Sequence, residues 1–156
     1  MSLIRIVYIS KYKLHKIVDE YIDTLTDILR SAQRNNKPRN VTGALLFDDE
    51  YFVQALEGEE ADVKAIFDKI CKDDRHFQIT CIEKTAVKAR IFGNWWMAGL
   101  LKSGKTAALF EPYQRDGRFD PSKMTADEIL SLMQALTEAG LDRRLAADAG
   151  PAARAS

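Results

Sequence analysis

The sequence is poor in the residues from which most catalytic and metal centres are built. Among 156 residues there are two cysteines and two histidines. Cys71 and Cys81 fit no metal-ligand spacing and read as buried free thiols, one on a helical apolar stripe and one in a strand-like run. There is no GxGxxG, no P-loop, no HExxH and no serine in a nucleophile-elbow setting, so nothing favours a hydrolase or a nucleotide-dependent enzyme. An excess of charge is missing as well: 23 basic residues balance 23 acidic ones. Without a basic block, steering toward nucleic acid or an anionic membrane has no support. No apolar stretch approaches the roughly 20 residues of a spanning helix. Arg5 interrupts the N-terminal apolar run and no small-residue cleavage site follows, so a signal peptide is not expected and the expected compartment is the cytoplasm.

What is present is a 46% hydrophobic chain of a length that suits one domain with a small appendage. "LIRIVYIS" (3 to 10) reads as a first strand with Ile4, Ile6 and Tyr8 on one face and Arg5, Val7 and Ile9 on the other; the face without arginine is the better core candidate. Val18, Tyr21, Ile22, Leu25, Ile28, Leu29 and Ala32 then recur at helical spacing, up to a stop near Pro38. "VTGALLF" (41 to 47) and "YFVQALEG" (51 to 58) flank a short acidic turn and make a hairpin. A second helix has the stripe Val63, Ile66, Phe67, Ile70 and Cys71, and "FQITCIEKTAV" (77 to 87) is a further strand. "IFGNWWMAGLL" (91 to 101) combines a turn with a fifth strand-like run. The order β-α-β-β-α-β plus a strand predicts an α+β, ferredoxin-like βαββαββ mixed sheet with two helices on one face. Residues 102 to 123 read as an irregular connection. Thr125 to Glu128 is a capping-box pattern opening a helix with Ile129, Leu132, Met133 and Leu136 inward and Gly140 as its stop. The alanine-rich end has too little apolar content to pack.

Several polar residues sit where this pattern expects core or turns. Gln54 shares a strand face with Phe52 and Leu56, and a buried amide is costly unless its hydrogen bonds are met. Tyr8 points to the corresponding face of a strand expected to be its neighbour, and its hydroxyl can donate to the Gln54 carbonyl. That pair can be an ordinary satisfied core contact or part of a ligand site. Asn35 and Asn36, at the end of the first helix, suit helix termination and equally suit the carbonyl and N–H edge of a ligand. Arg75 and His76 follow the second helix, where a cation is favourable by itself and could also hold a phosphate. In a strand, Trp95 and Met97 share one face and Trp96 takes the other.

Taken together, "VYIS" with Tyr8, "RNNKPRNVTGALLF" with Asn36, "FVQALEGE" with Gln54, "DDRHF" and "NWWM" resemble the BLUF family of flavin-based blue-light sensors. The resemblance covers residues 3 to 100. It implies FAD or FMN between the two helices, with the ring edge against the sheet. Asn36, with Asn35 beside it, would bind the polar edge of the ring, Phe52 would pack near the ring, and Arg75 and His76 would lie toward the ribityl phosphate. Tyr8 would be the photochemical electron and proton donor, and Gln54 the amide whose hydrogen bonds rearrange and redden the flavin absorption. Trp95 and Met97 would relay the change. No enzymatic activity and no metal are implied. The expected layout is a photosensory domain at 1–101, a linker and C-terminal helical extension at 102–145, and a disordered tail at 146–156. With no output domain recognisable after residue 100, signalling would run through a homo-oligomer or a separate effector protein. Two rival readings stand beside it: a flavin-binding redox protein, and a chromophore-free ferredoxin-like interaction module in which Tyr8 and Gln54 are an ordinary core pair.

Overall fold

A computed structural model describes residues 2–12, 18–48, 51–73, 76–140 and 150 of the chain. Five strands form one mixed sheet: β1 (Leu3–Tyr12), β2 (Thr42–Phe47), β3 (Tyr51–Glu59), β4 (His76–Ala86) and β5 (Ala98–Leu101). Their spatial order is β4-β1-β3-β2-β5. All pairings are antiparallel except that of β2 with β5. The first four strands with helices α1 (Val18–Asn36) and α2 (Glu60–Cys71) make the ferredoxin-like unit, in which each helix carries the chain over one intervening strand.

The sheet has two buried faces. Ile4, Ile6, Tyr8, Leu45, Phe52 and Leu56 pack with Leu25, Ile28 and Leu29 of α1 and Val63 and Ile66 of α2. Val7, Ile9, Leu46, Val53 and Ala55 form a second core with Ile129, Leu132, Met133 and Leu136 of the C-terminal helix α4 (Ala126–Ala139). Choosing one core-facing side of β1 was therefore wrong. The C-terminal helix covers the face that Arg5 shares, and Arg5 itself is buried. This arrangement explains why β2 and β3 read as continuous apolar runs rather than alternating ones.

Two further expectations need correction. Cys71 and Cys81 are both exposed. Cys71 is the last residue of α2, whose fully buried residues are Val63 and Ile66 alone, and Cys81 lies on β4, an edge strand with one neighbour. The segment 102 to 123 has local order: a short helix α3 (Ala107–Phe110) and a two-stranded ribbon, β6 (Gln114–Arg115) with β7 (Arg118–Phe119). Phe110 and Phe119 pack edge to face at 5.2 Å and join the α4-side core. Gly150, in the stretch expected to be a disordered tail, is buried, and its N–H donates to the Asn94 carbonyl at 2.6 Å. A Cβ there would stand 2.6 Å from the Trp95 nitrogen, so the contact is made by backbone alone and needs no apolar side chain. No described helix is long and apolar enough to cross a membrane.

The start of α4 matches its sequence pattern. The Thr125 hydroxyl accepts from the Glu128 N–H and the Glu128 carboxylate accepts from the Thr125 N–H, both at 3.1 Å. Because α4 closes the second core, its cap is tied to global stability. Thr125→Ala should lower unfolding free energy by about 1 kcal/mol in a urea titration, whereas Thr125→Ser should lie close to the parent.

Candidate functional site

The central strands β1 and β3 run antiparallel with Tyr8 directly opposite Gln54. Both side chains point toward α1 and α2 and both are buried. The Tyr8 hydroxyl donates to Gln54 Oε1, as the strand order requires of two polar groups with no solvent to turn to. Phe67 of α2 packs edge-on against the Tyr8 ring at 5.3 Å. At the other end of the Gln54 amide, Nε2 donates to the Met97 thioether at 3.5 Å, and sulfur is a weak acceptor. Gln54 thus has a well-matched carbonyl and an under-used NH2.

Above this pair α1 and α2 diverge around a cleft of about 250 Å³. Tyr8, Leu45 and Gln54 line it from the sheet, Ile28, Ser31, Ala32, Asn35 and Asn36 from α1, and Ile66, Lys69, Ile70 and Asp73 from α2 and its end. Ile28, Ala32, Leu45, Ile66 and Ile70 give it apolar surface, and polar groups converge on it from the sheet and both helices, a mixture that suits a flat ligand with a polar edge. Ser31, Lys69 and Asp73 were not singled out in the sequence; the i, i+4 spacing of Ser31 to Asn35 and of Lys69 to Asp73 is the signal that could have found them.

Asn36 is buried and its Nδ2 donates to the Trp96 carbonyl at 2.8 Å, leaving Oδ1 as the end of the amide not used in this contact. One turn earlier, Gln33 Nε2 donates to the Met97 carbonyl at 3.1 Å. Gln33 was missed because an amide at a helical position next to charged neighbours reads as surface. Asn35 is exposed at the cleft rim. Phe52 is buried against Phe47, ring centroids 4.9 Å apart, within the helix-side core and not on the cleft wall. Arg75 lies outside the described residues, and of His76 only the backbone, opening β4, is described.

Trp95 and Met97 do not share a face. β5 begins only at Ala98, so strand alternation does not apply to 95–97. Met97 is buried in the helix-side core beside Gln54, while Trp95 packs against the α4-side core. Gly43 makes the crossing possible. Its N–H donates to the Trp95 carbonyl at 3.2 Å, and a Cβ at that position would stand 2.0 Å from the Ala55 carbonyl oxygen and 3.3 Å from the Met97 methyl. Trp96 is buried, and its indole N–H is the one buried side-chain polar atom without a partner among the described residues. Such a group costs about 1–3 kcal/mol.

Burial pushes the Tyr8 hydroxyl far above its ordinary pKa, and the neighbouring Cys71 and Asp73 push the same way. Tyr8 therefore keeps its proton throughout the physiological range. Its folded pKa lies above the unfolded value, so the associated stabilisation is fully present below about pH 10 and is lost as pH rises beyond it toward the folded value. A spectrophotometric tyrosine titration checks this: below the pH of alkaline unfolding, Tyr8→Phe should remove no tyrosinate signal, and a lost ionisation step there would contradict it.

Comparison with known proteins bears on the same residues. The family model described as sensors of blue-light using FAD, BLUF, matches residues 3–98. The blue light- and temperature-regulated antirepressor BluF of Escherichia coli (strain K12) is 39% identical over 82 residues, 53% of this chain and 20% of that protein. Photoactivated adenylate cyclase subunit alpha of Euglena gracilis is 32% identical over 97 residues, 62% of this chain and 9% of that protein. The chain thus spans about a fifth or less of the curated relatives it matches. Among solved structures, BlsA in its photo-activated state superposes with a TM-score of 0.77 at 25% identity, covering 90% of this chain and 99% of that one. The BLUF protein BlrB in its dark state gives 0.71 at 26% identity, covering 86% and 96%.

Proposed function

The chain belongs to the BLUF family of sensors of blue light using FAD, and from that premise we propose that it is a photoreceptor in which Tyr8 and Gln54 perform the primary light reaction. The observation that carries the proposal is the buried Tyr8–Gln54 hydrogen bond at the floor of the cleft, with the far end of the amide left to a weak sulfur acceptor. The residues present suit a flavin. The slot between α1 and α2 has apolar surface from Ile28, Ala32, Ile66 and Ile70 among its polar groups, the Gln54 NH2 has donor capacity to spare, and Asn36 Oδ1 can accept from an imide N–H. Asn35, Lys69 and Asp73 line the rim, and Arg75 and His76 follow in sequence toward the phosphate side. FMN would meet the same ring contacts as FAD. Phe52 supports the wall from behind.

When bound, the flavin supplies blue-light absorption and an acceptor for one electron and one proton. Tyr8, held neutral by burial, has the proton to give from Oη. While that proton is away, the hydrogen bond holding Gln54 Oε1 is released, and the amide can exchange its donor and acceptor ends by rotation or tautomerisation. The exchange removes the donor that Met97 Sδ now receives, so Met97 senses it directly. Residues 1–101 form the sensor in this reading, 102–145 the extension that takes up the change, and the chain catalyses no chemical turnover. Output then passes through an altered surface to a second copy or an effector protein, in keeping with a cytoplasmic signalling role. The named regulatory activity of BluF, an antirepressor, is compatible with protein–protein output of this kind.

The decisive experiment is an absorption spectrum of the FAD-loaded protein in the dark and immediately after blue light. A flavin spectrum that moves slightly to the red and recovers in darkness is expected. Tyr8→Phe should bind flavin and lose the normal photocycle, and Gln54→Leu should bind flavin without the shift. A full reversible shift in Tyr8→Phe would remove Tyr8 from the mechanism.

A further inference from the structure

The linker between β4 and β5 is held in two very different ways along its length. At its root, the fully buried carboxylate of Glu57 on β3 accepts from the Ile91 N–H at 2.8 Å and the Phe92 N–H at 2.7 Å. Arg5, its register partner on β1, closes the site with Nε donating at 2.9 Å and reaches the Ala89 carbonyl with its other arm. Arg90 fastens the same stretch to β2, to β3 and to the turn before β2, donating to Thr42 Oγ1 at 2.8 Å, the Glu57 carbonyl at 3.1 Å and the Asn40 carbonyl at 2.8 Å. The far half, from Gly93 to Met97, is held by neutral contacts alone: the side-chain amides of Asn36 and Gln33 on two carbonyls, the Gln54 amide on a thioether, and three backbone bonds, Trp95 N–H to the Phe92 carbonyl and the Gly43 and Gly150 N–H groups to the Trp95 and Asn94 carbonyls, with the Trp96 indole N–H unpartnered among the described residues. Charge-assisted bonds are about twice as strong as neutral ones, so one linker has a root clamped by buried charge and a tip held by weaker, neutral bonds.

We propose that Glu57 is the positioning residue for the Trp95–Met97 segment. By binding two successive backbone N–H groups through one buried carboxylate, it fixes where the linker leaves the sheet and confines any light-driven displacement to the residues beyond Phe92. Glu57 touches no group of the cleft. It lies on the opposite face of β3 from Gln54, three residues along the same strand, and acts only through Ile91 and Phe92. Without it Arg90 would still tie the linker at one residue, but Ile91 and Phe92 would lose their fixed acceptor, and a change of hydrogen bonding at Met97 would dissipate into them instead of displacing Trp95.

This inference rests on the photoreceptor reading, and hydrogen exchange on the FAD-loaded full chain separates the two. Amide exchange followed in the dark and under continuous blue light should leave Ile91 and Phe92 protected in both states. The amides of Trp95, whose N–H donates to the Phe92 carbonyl, and of Gly43, whose N–H donates to the Trp95 carbonyl, should change by about tenfold or more, the equivalent of one hydrogen bond. Glu57→Gln, which keeps one acceptor oxygen but sets an amide NH2 against one or two of the three donors, should retain flavin and the red shift. It should alter the dark-recovery rate about tenfold and change the light-dependent part of the tryptophan emission, which comes wholly from Trp95 and Trp96. Leu132→Ala, a destabilising change in the same α4-side core at a side chain that makes no hydrogen bond to the linker, should leave both readouts near the parent. A normal red shift with Ile91 and Phe92 losing protection in the light overturns the anchor alone. So does recovery in Glu57→Gln matching the parent, or an equal effect from Leu132→Ala. Absence of any shift in the parent protein removes the photoreceptor reading and this inference with it. If Glu57→Gln does not fold, the parent's exchange pattern decides.

Discussion

A sheet covered on both faces offers its central strands no water, so each polar side chain on β1 and β3 must be met by another from within. Two such pairs stand side by side. Arg5 lies opposite Glu57 and Tyr8 opposite Gln54 in the same antiparallel register, the first pair toward α4 and the second toward α1 and α2. A register slip of one residue would send both to the wrong faces and leave a buried guanidinium, carboxylate, phenol and amide without partners. The pairing of β1 with β3 is thereby specified by polar matching as well as by apolar pattern. The cleft, its floor and the linker all take their positions from it.

The two pairs differ in how firmly they are satisfied. Glu57 receives three charge-assisted bonds of 2.7 to 2.9 Å, and removing one partner would leave a buried charge exposed to low dielectric. Gln54 has one good bond and one weak contact, and an amide is the side chain whose donor and acceptor ends can trade places without any change in shape. Rearranging a buried hydrogen bond of this kind is worth about 1–3 kcal/mol, which changes a population ratio about 5- to 150-fold. That is enough to bias a local two-state element and well short of what would unfold a domain.

The ferredoxin-like order and both core helices are legible in the sequence because their apolar residues recur at clean periods over many positions, as at Leu25, Ile28 and Leu29 or Ile129, Leu132 and Met133. The Tyr8–Gln54 contact is legible because strand order alone makes β1 and β3 neighbours. Arg5 misleads: a charge in a strand reads as a solvent face unless its partner is known, and Glu57 lies 52 residues away. The environment of Trp95 to Met97 is illegible for a related reason. Strand periodicity presumes a strand, and these residues are held by side chains of α1 and by the backbone of β2, none of which leaves a local pattern. The cysteines err through the edge of the sheet and the end of a helix, where an apolar stripe continues past the surface that could bury it.

The route from the cleft to the C-terminal face follows from these geometries. Met97 belongs to the helix-side core and Trp95 to the α4-side core, with only Trp96 between them at the β2–β5 side of the sheet. Two residues in extended chain span at most about 7 Å, so Met97 cannot shift along the linker without moving Trp95, and the Trp95 carbonyl is tied to the Gly43 N–H at 3.2 Å. The close approach at Gly43 leaves no slack on the β2 side, and the Glu57 clamp leaves none at the root. At Asn94 the backbone of Gly150 packs just as closely, so a displacement of this segment must be shared with that contact. In the proposed photoreceptor, a hydrogen-bond change on one face of this sheet would be converted, within three residues, into a packing change on the other.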